Sequence, residues 1–142
     1  MSIYETDFYL WTQEQATLLR EGRLDELDVP NLVEEIDSLG RSQRHELRSR
    51  LRVLFMHLLK WQYQPERQGP SWESTISEQR IHIDELLSDS PSLRPQVPTI
   101  LPHAYALSRQ STHRETRLPL STFPETCPYT VEQVLDDTFW PV

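Results

Sequence analysis

Lysine and cysteine each occur once in these 142 residues, glycine occurs three times, and no apolar run is long. Each shortage excludes something. The single cysteine, Cys127, has no partner for an intrachain disulfide and fits a reducing compartment. The longest apolar cluster, VLFMHLL at residues 53–59, falls well short of the roughly 20 residues a membrane span needs. The N-terminal MSIYETDFYLW has neither the cationic start nor the apolar stretch of a signal peptide. A soluble, cytoplasmic protein without a membrane segment is therefore expected. Basic residues are outnumbered 14 to 22, and a formal charge of −8 argues against a nucleic-acid partner, because the summed field repels a polyanion. No phosphate-binding glycine loop, nucleophile elbow or zinc knuckle is present. His45, His57, His82, His103 and His113 show no ligand spacing on one helix, so neither a metal nor a cofactor is expected.

What the chain does have is helical periodicity. Phe8, Trp11, Gln15, Leu18 and Leu19 follow Thr6, a plausible N-cap, and Gly22 ends that helix. Asp28 is the next expected N-cap, with Pro30 in the first turn. From Asn31 to Gln64, Leu32, Ile36, Leu39, Gln43, Leu47, Leu51, Leu54, Leu58 and Trp61 step by threes and fours. The stripe keeps phase across Gly40, which predicts a nearly continuous helix stopped by Pro65. A third helix is predicted from a Ser71 cap to about Ser88, burying Trp72, Ile76, Ile83, Leu86 and Leu87. A fourth begins near Ser90 or Ser92 and reaches about Thr116, with a kink or a late start at Pro98 and Pro102. The remaining LPLSTFPETCPYTVEQVLDDTFWPV reads as an extended arm with one short helix, opened by a capping box at Thr130 and Gln133. Without alternating strand patterns, the class is all-α: a small helical bundle of about four main helices, the second of them long, with an irregular proline-rich C-terminal arm. One domain over residues 1–142 is expected, the bundle at 1–117 and the packed arm at 118–142. The arm carries too many apolar side chains for a free tail, and Phe55 and Trp72 are its expected contacts.

The blocks DFYLWTQEQATLLREG, NLVEEIDSLG, HLLKWQYQPE, SWESTISEQR, SPSLRPQ and FPETCPYTVEQVLDDTFWP, in that order, resemble the bacterial family known as domain of unknown function 29. The likeness runs from about Tyr4 to Pro141. It implies a compact, single-domain, all-α bacterial protein and brings no assigned catalytic residues. The chain departs from the pattern at Pro98 and Pro102, where helix-forming residues are expected.

Chemistry has few places to gather. The sole lysine, Lys60, lies in a helical stretch that is apolar nearly all round, hence buried, and shares a narrow polar stripe with His57 and Gln64. A buried ammonium must be paired or lose its proton. The possible acids are Glu34, Glu35, Glu73 and Glu115; an antiparallel bundle would bring Glu115 close, whereas Glu34 or Glu35 would require a break at Gly40. A satisfied internal network explains these residues, as does a lysine whose head snorkels to the surface. A pocket in which His57 and Lys60 act with Glu35 or Glu115 as acid and base is the catalytic reading. Asn31, Glu34, Glu35 and Asp37 form an acidic helix start that suits the helix dipole. Arg41, Arg44, Arg48 and Arg52 make a stripe about a quarter-turn from the leucine face, either solvated or a docking surface for an acidic partner or a second copy. The function expected is unknown in its particulars: a non-enzymatic protein-interaction module, self-associating or binding a protein partner, with a small hydrolase or nuclease as the alternative.

Overall fold

The computed structural model describes residues 2–142 and consists of helices and connecting turns, with no strand among the described residues. Six α-helices follow in order: α1 (Ile3–Thr6), α2 (Phe8–Arg20), α3 (Val29–Tyr63), α4 (Pro70–Asp89), α5 (Val97–Thr116) and α6 (Val131–Leu135). The all-α class read from the sequence holds. The chain divides into two compact units, residues 1–42 and 43–142, and α3 contributes its first turns to one and the rest to the other.

The first unit is built around polar groups. Asp7 rather than Thr6 caps α2, its carboxylate accepting from the Leu10 N–H; Thr6 instead closes α1. Gly22, at φ 71°, supplies the left-handed turn after α2 that a side chain would strain. The Asp28 carboxylate then accepts from Trp11 Nε1 at 3.0 Å and from Asn31 Nδ2 at 2.8 Å, while the Asp28 N–H donates to Gln15 Oε1 at 2.9 Å. Those two side-chain donors, Asn31 first, hold the Asp28 carboxyl below its usual range. Tyr4 Oη donates to Glu35 at 2.5 Å, a bond that pushes the phenol up to about 12. Tyr4, Phe8 and Trp11 pack ring on ring with centroids 4.8–5.8 Å apart. Among the described residues of this unit only Trp11 and Gln15 are buried.

The second unit holds the hydrophobic core. Leu47, Leu51, Leu54, Phe55, Leu58 and Leu59 of α3 meet Ile76, Ile83 and Leu87 of α4 and Val97, Ala104 and Tyr105 of α5. The α4 cap differs from expectation: Gly69 precedes it with extended backbone and Pro70 opens it, so Ser71 lies inside the first turn. The proline prediction for α5 was half right. A 3-10 segment over Pro91–Gln96 delays the helix to Val97, and Pro98 sits in its tolerant first turn. Pro102, however, leaves no break. The N–H it lacks would have met the carbonyl of Pro98, an exposed residue near the helix start, where water can take its place.

Arg117, in the left-handed region at φ 61°, ends α5 and turns the chain into the C-terminal segment. A stretch with so little regular structure needs outside donors for its carbonyls. Tyr105 Oη donates to Pro124 O, Arg109 to Phe123 O and Leu120 O, His113 Nδ1 to Leu118 O, and Arg80 to Val134 O and Gln133 O. The Thr130–Gln133 capping box opens α6 as expected. Phe123, Tyr129 and Val134 are the segment's buried apolar anchors, while Phe139 and Trp140 are only partly covered. Tyr129 packs on Phe55; Trp72, the other expected contact, lies instead near Lys60.

Candidate functional site

Lys60 is buried in the last turn of α3, and the acid that reaches it is Glu115 near the end of α5, with Nζ 2.5 Å from Oε1. The pair is lopsided. The lysine side chain is 6% exposed and the glutamate 54%, so one charge is desolvated and the other is wet. Nζ also lies 5.7 Å from the centre of the Trp72 ring, whose face favours a cation. A cleft of about 290 Å³ opens here, lined by Lys60, Gln64, Arg67, Trp72, Glu115 and Thr116.

His57 does not line that cleft. Its ring is half-buried, and Nδ1 lies 2.9 Å from Val53 O; a carbonyl only accepts, so Nδ1 carries the proton. Burial is the main cause that lowers its pKa, and the Lys60 charge adds to it against the opposing pull of the Val53 carbonyl and Glu115. The imidazole is thus neutral at pH 7. The break at Gly40 that Glu35 would need is absent, because α3 runs through that residue without interruption. Glu35 belongs to the first unit and is engaged by Tyr4. Lys60 and Glu115 therefore share a cleft, without His57 or Glu35. As arranged, the cleft offers a fixed ammonium with its counterion and no free base.

The arginine stripe is exposed except for the half-buried Arg48, and it is largely occupied. Arg41 pairs with Glu34 at 3.2 Å, Arg48 donates to His45 Nδ1 at 2.8 Å, and Arg52 donates to Ser111 Oγ at 3.0 Å. Among the described residues Arg44 has no such partner. Nor does any group of three His, Cys, Asp or Glu among them form a metal nest. No helix of the described residues is long and apolar enough to cross a membrane.

The model of the family described as "Domain of unknown function DUF29" matches residues 3–140, nearly the whole chain. The chain belongs to the DUF29 family. No curated protein and no solved structure matches it.

Two features of this DUF29 chain were missed by reasoning from sequence. The first is Arg80, 4% exposed on α4, whose Nε and Nη2 donate to the Val134 and Gln133 carbonyls of α6 while Nη1 has no partner among the described residues. Burial lowers its pKa against the pull of Asp136 and Asp137, and with them it borders a cleft of about 650 Å³. The signal was there: Ile76, Arg80, Ile83 and Leu87 keep the core period, with one arginine at a core position. The second is the state of the stripe that opens α3. Val29 and Val33 are each 53% exposed, Ile36 is 65% and Leu39 is 68%. Ile36 and Leu39 were expected to continue the buried face, and they do not.

Proposed function

We propose that this chain is a non-enzymatic helical interaction module that binds another protein through the apolar stripe at the start of α3. The observation that carries the reading is the exposure of Val29, Val33, Ile36 and Leu39, four large aliphatic side chains in a row on one helix face. Contiguous apolar surface of this kind marks interaction sites, because leaving it in water forfeits the stabilisation that burial supplies. The arginine stripe is a lesser surface, since three of its four side chains already bond within the chain. A hydrolase or nuclease built on His57 and Lys60 with Glu35 or Glu115 has less support, because Lys60 is neutralised by Glu115 and His57 stands outside the cleft. The unpaired Cys127 supports a reducing compartment such as the cytoplasm, and we read the two units as working together in one domain.

Site-specific photocrosslinking tests this in the source cells. A photoreactive side chain at Leu39 should yield a discrete adduct, and one at the exposed Glu78 of α4 should not. Equal labelling from both positions, or none from Leu39, would sink the reading.

A further inference from the structure

The spacing and the charge around the open stripe define what should cover it. Val29, Leu32, Ile36 and Leu39 step by three, four and three residues, the a and d positions of two heptads, with a β-branched residue at each a and leucine at each d; Leu32 is half-buried and the other three are exposed. Such a seam accepts a second helix, whose knobs enter its holes; a strand or a loop does not match the repeat. In the first unit α1 bonds to Glu35 through Tyr4 and α2 bonds to Asp28 through Trp11 and Gln15, and Val29, Ile36 and Leu39 of the seam stay exposed beside them.

Charge narrows the choice further. Ten acidic residues and three arginines occupy residues 1–42, so nearly all of the formal charge of −8 resides in this unit. Asp37, one turn on from the exposed Val33, borders the stripe on that side and has no ion-pair partner among the described residues. A second copy docked symmetrically would bring one strongly acidic unit against another, which is unfavourable. We propose that the seam binds a basic amphipathic helix of another protein, with leucine-like residues on one face and lysine or arginine beside them. This rests on the interaction-module reading and names the partner's chemistry.

Synthetic helical peptides titrated onto the full chain provide the test, read by fluorescence anisotropy at low and high salt. Three share one length: a leucine-faced peptide with lysines, the same with glutamates, and a scrambled lysine peptide without an apolar face. The amphipathic basic peptide should bind at least about tenfold more tightly than either other, and salt should weaken it. Ile36→Ser with Leu39→Ser should reduce that binding about tenfold or more while leaving the melting temperature unchanged. Asp37→Lys should narrow the preference for the basic peptide over the acidic one.

Equal binding of the scrambled peptide would mean charge alone, and equal binding of the acidic one would mean apolar contact alone; either overturns the inference. Self-association in sedimentation that Ile36→Ser with Leu39→Ser abolishes would name a second copy instead, sinking the basic-helix proposal but sparing the interaction reading. Loss of folding in that double variant would show the seam to be core, and both would fall.

Discussion

Leu47, Leu51, Leu54 and Leu58 are fully sealed in the core, whereas Val29, Val33, Ile36 and Leu39, in phase with them on the same helix, are each more than half exposed. The helical period runs through both stretches, so it cannot be what decides burial. The difference lies in what each unit supplies. In the second unit α4, α5 and the C-terminal segment bring apolar side chains to α3. In the first, α1 is tied on by Tyr4 to Glu35 and α2 by Trp11 and Gln15 to Asp28, and the ring cluster of Tyr4, Phe8 and Trp11 buries little else. A stripe says which face wants cover; the rest of the chain says whether cover arrives.

The strongest way to break this contrast is to strip the cover away. A chain ending at Thr116 loses Phe123, Tyr129 and Val134, each contributing roughly 1.5–3 kcal/mol of burial. Taken together these approach the whole stability of an ordinary domain, about 5–15 kcal/mol. The truncated chain should lose cooperative thermal unfolding by circular dichroism and aggregate. If it melts as sharply as the full chain, the segment is an accessory and the buried half of α3 is stable without it.

Paired substitutions measure the contrast directly. Leu54→Ala removes a fully buried side chain and should destabilise by about 2–5 kcal/mol in urea unfolding. Ile36→Ala, in phase with it but exposed, should change stability by less than about 0.5 kcal/mol. Similar values for the two would mean that Ile36 is covered in solution.

Within the buried half, the Lys60–Glu115 pair offers an asymmetry of its own. Lys60→Met leaves the Glu115 carboxylate without its counterion. The carboxylate turns out to be the exposed partner, so it simply rehydrates, and the loss should stay near 1 kcal/mol or below. Glu115→Ala instead leaves the ammonium buried and unpaired, and should cost about 1–3 kcal/mol, softened by water in the adjoining cleft. Equal losses in the two variants would show that the burial difference between the partners does not matter.

How much of this was written in the sequence follows from the range of the interactions. The unbroken α3, the Thr130–Gln133 box and the burial of Lys60 depend on neighbours a few residues apart, and all were legible. Cap positions slipped by a residue or two, at Asp7 and Gly69, because adjacent side chains compete for the same backbone donors. Exposure of Ile36 and Leu39 depends on which segments fold against them, which no local pattern encodes. Arg80 was overlooked because its guanidinium serves carbonyls more than fifty positions away, on α6. In the candidate site, Glu115 was foreseeable from an antiparallel path, while the separation of His57 from the cleft was not: it depends on how its ring turns back to Val53.

The smallest expected effect sharpens the contrast at the point where the stripe is open. Gly40 lies within α3 between Leu39 and Arg41, and a methyl group added there would meet no atom within 4 Å. Its φ is that of an ordinary helix rather than the left-handed region, so no turn requires glycine. In an exposed helix interior, glycine is less favourable than alanine by roughly 0.5–1 kcal/mol, because the unfolded chain loses more freedom on ordering. Gly40→Ala should therefore stabilise the chain by up to that amount, seen as a higher urea midpoint at unchanged slope. The alternative outcome is equally informative. If alanine destabilises, something approaches Gly40 closely in solution, and the uncovered stretch of α3 is covered after all. With Ile36→Ala near zero and Gly40→Ala stabilising, the first turns of α3 are left as an ordered, solvent-facing helix with its apolar face open.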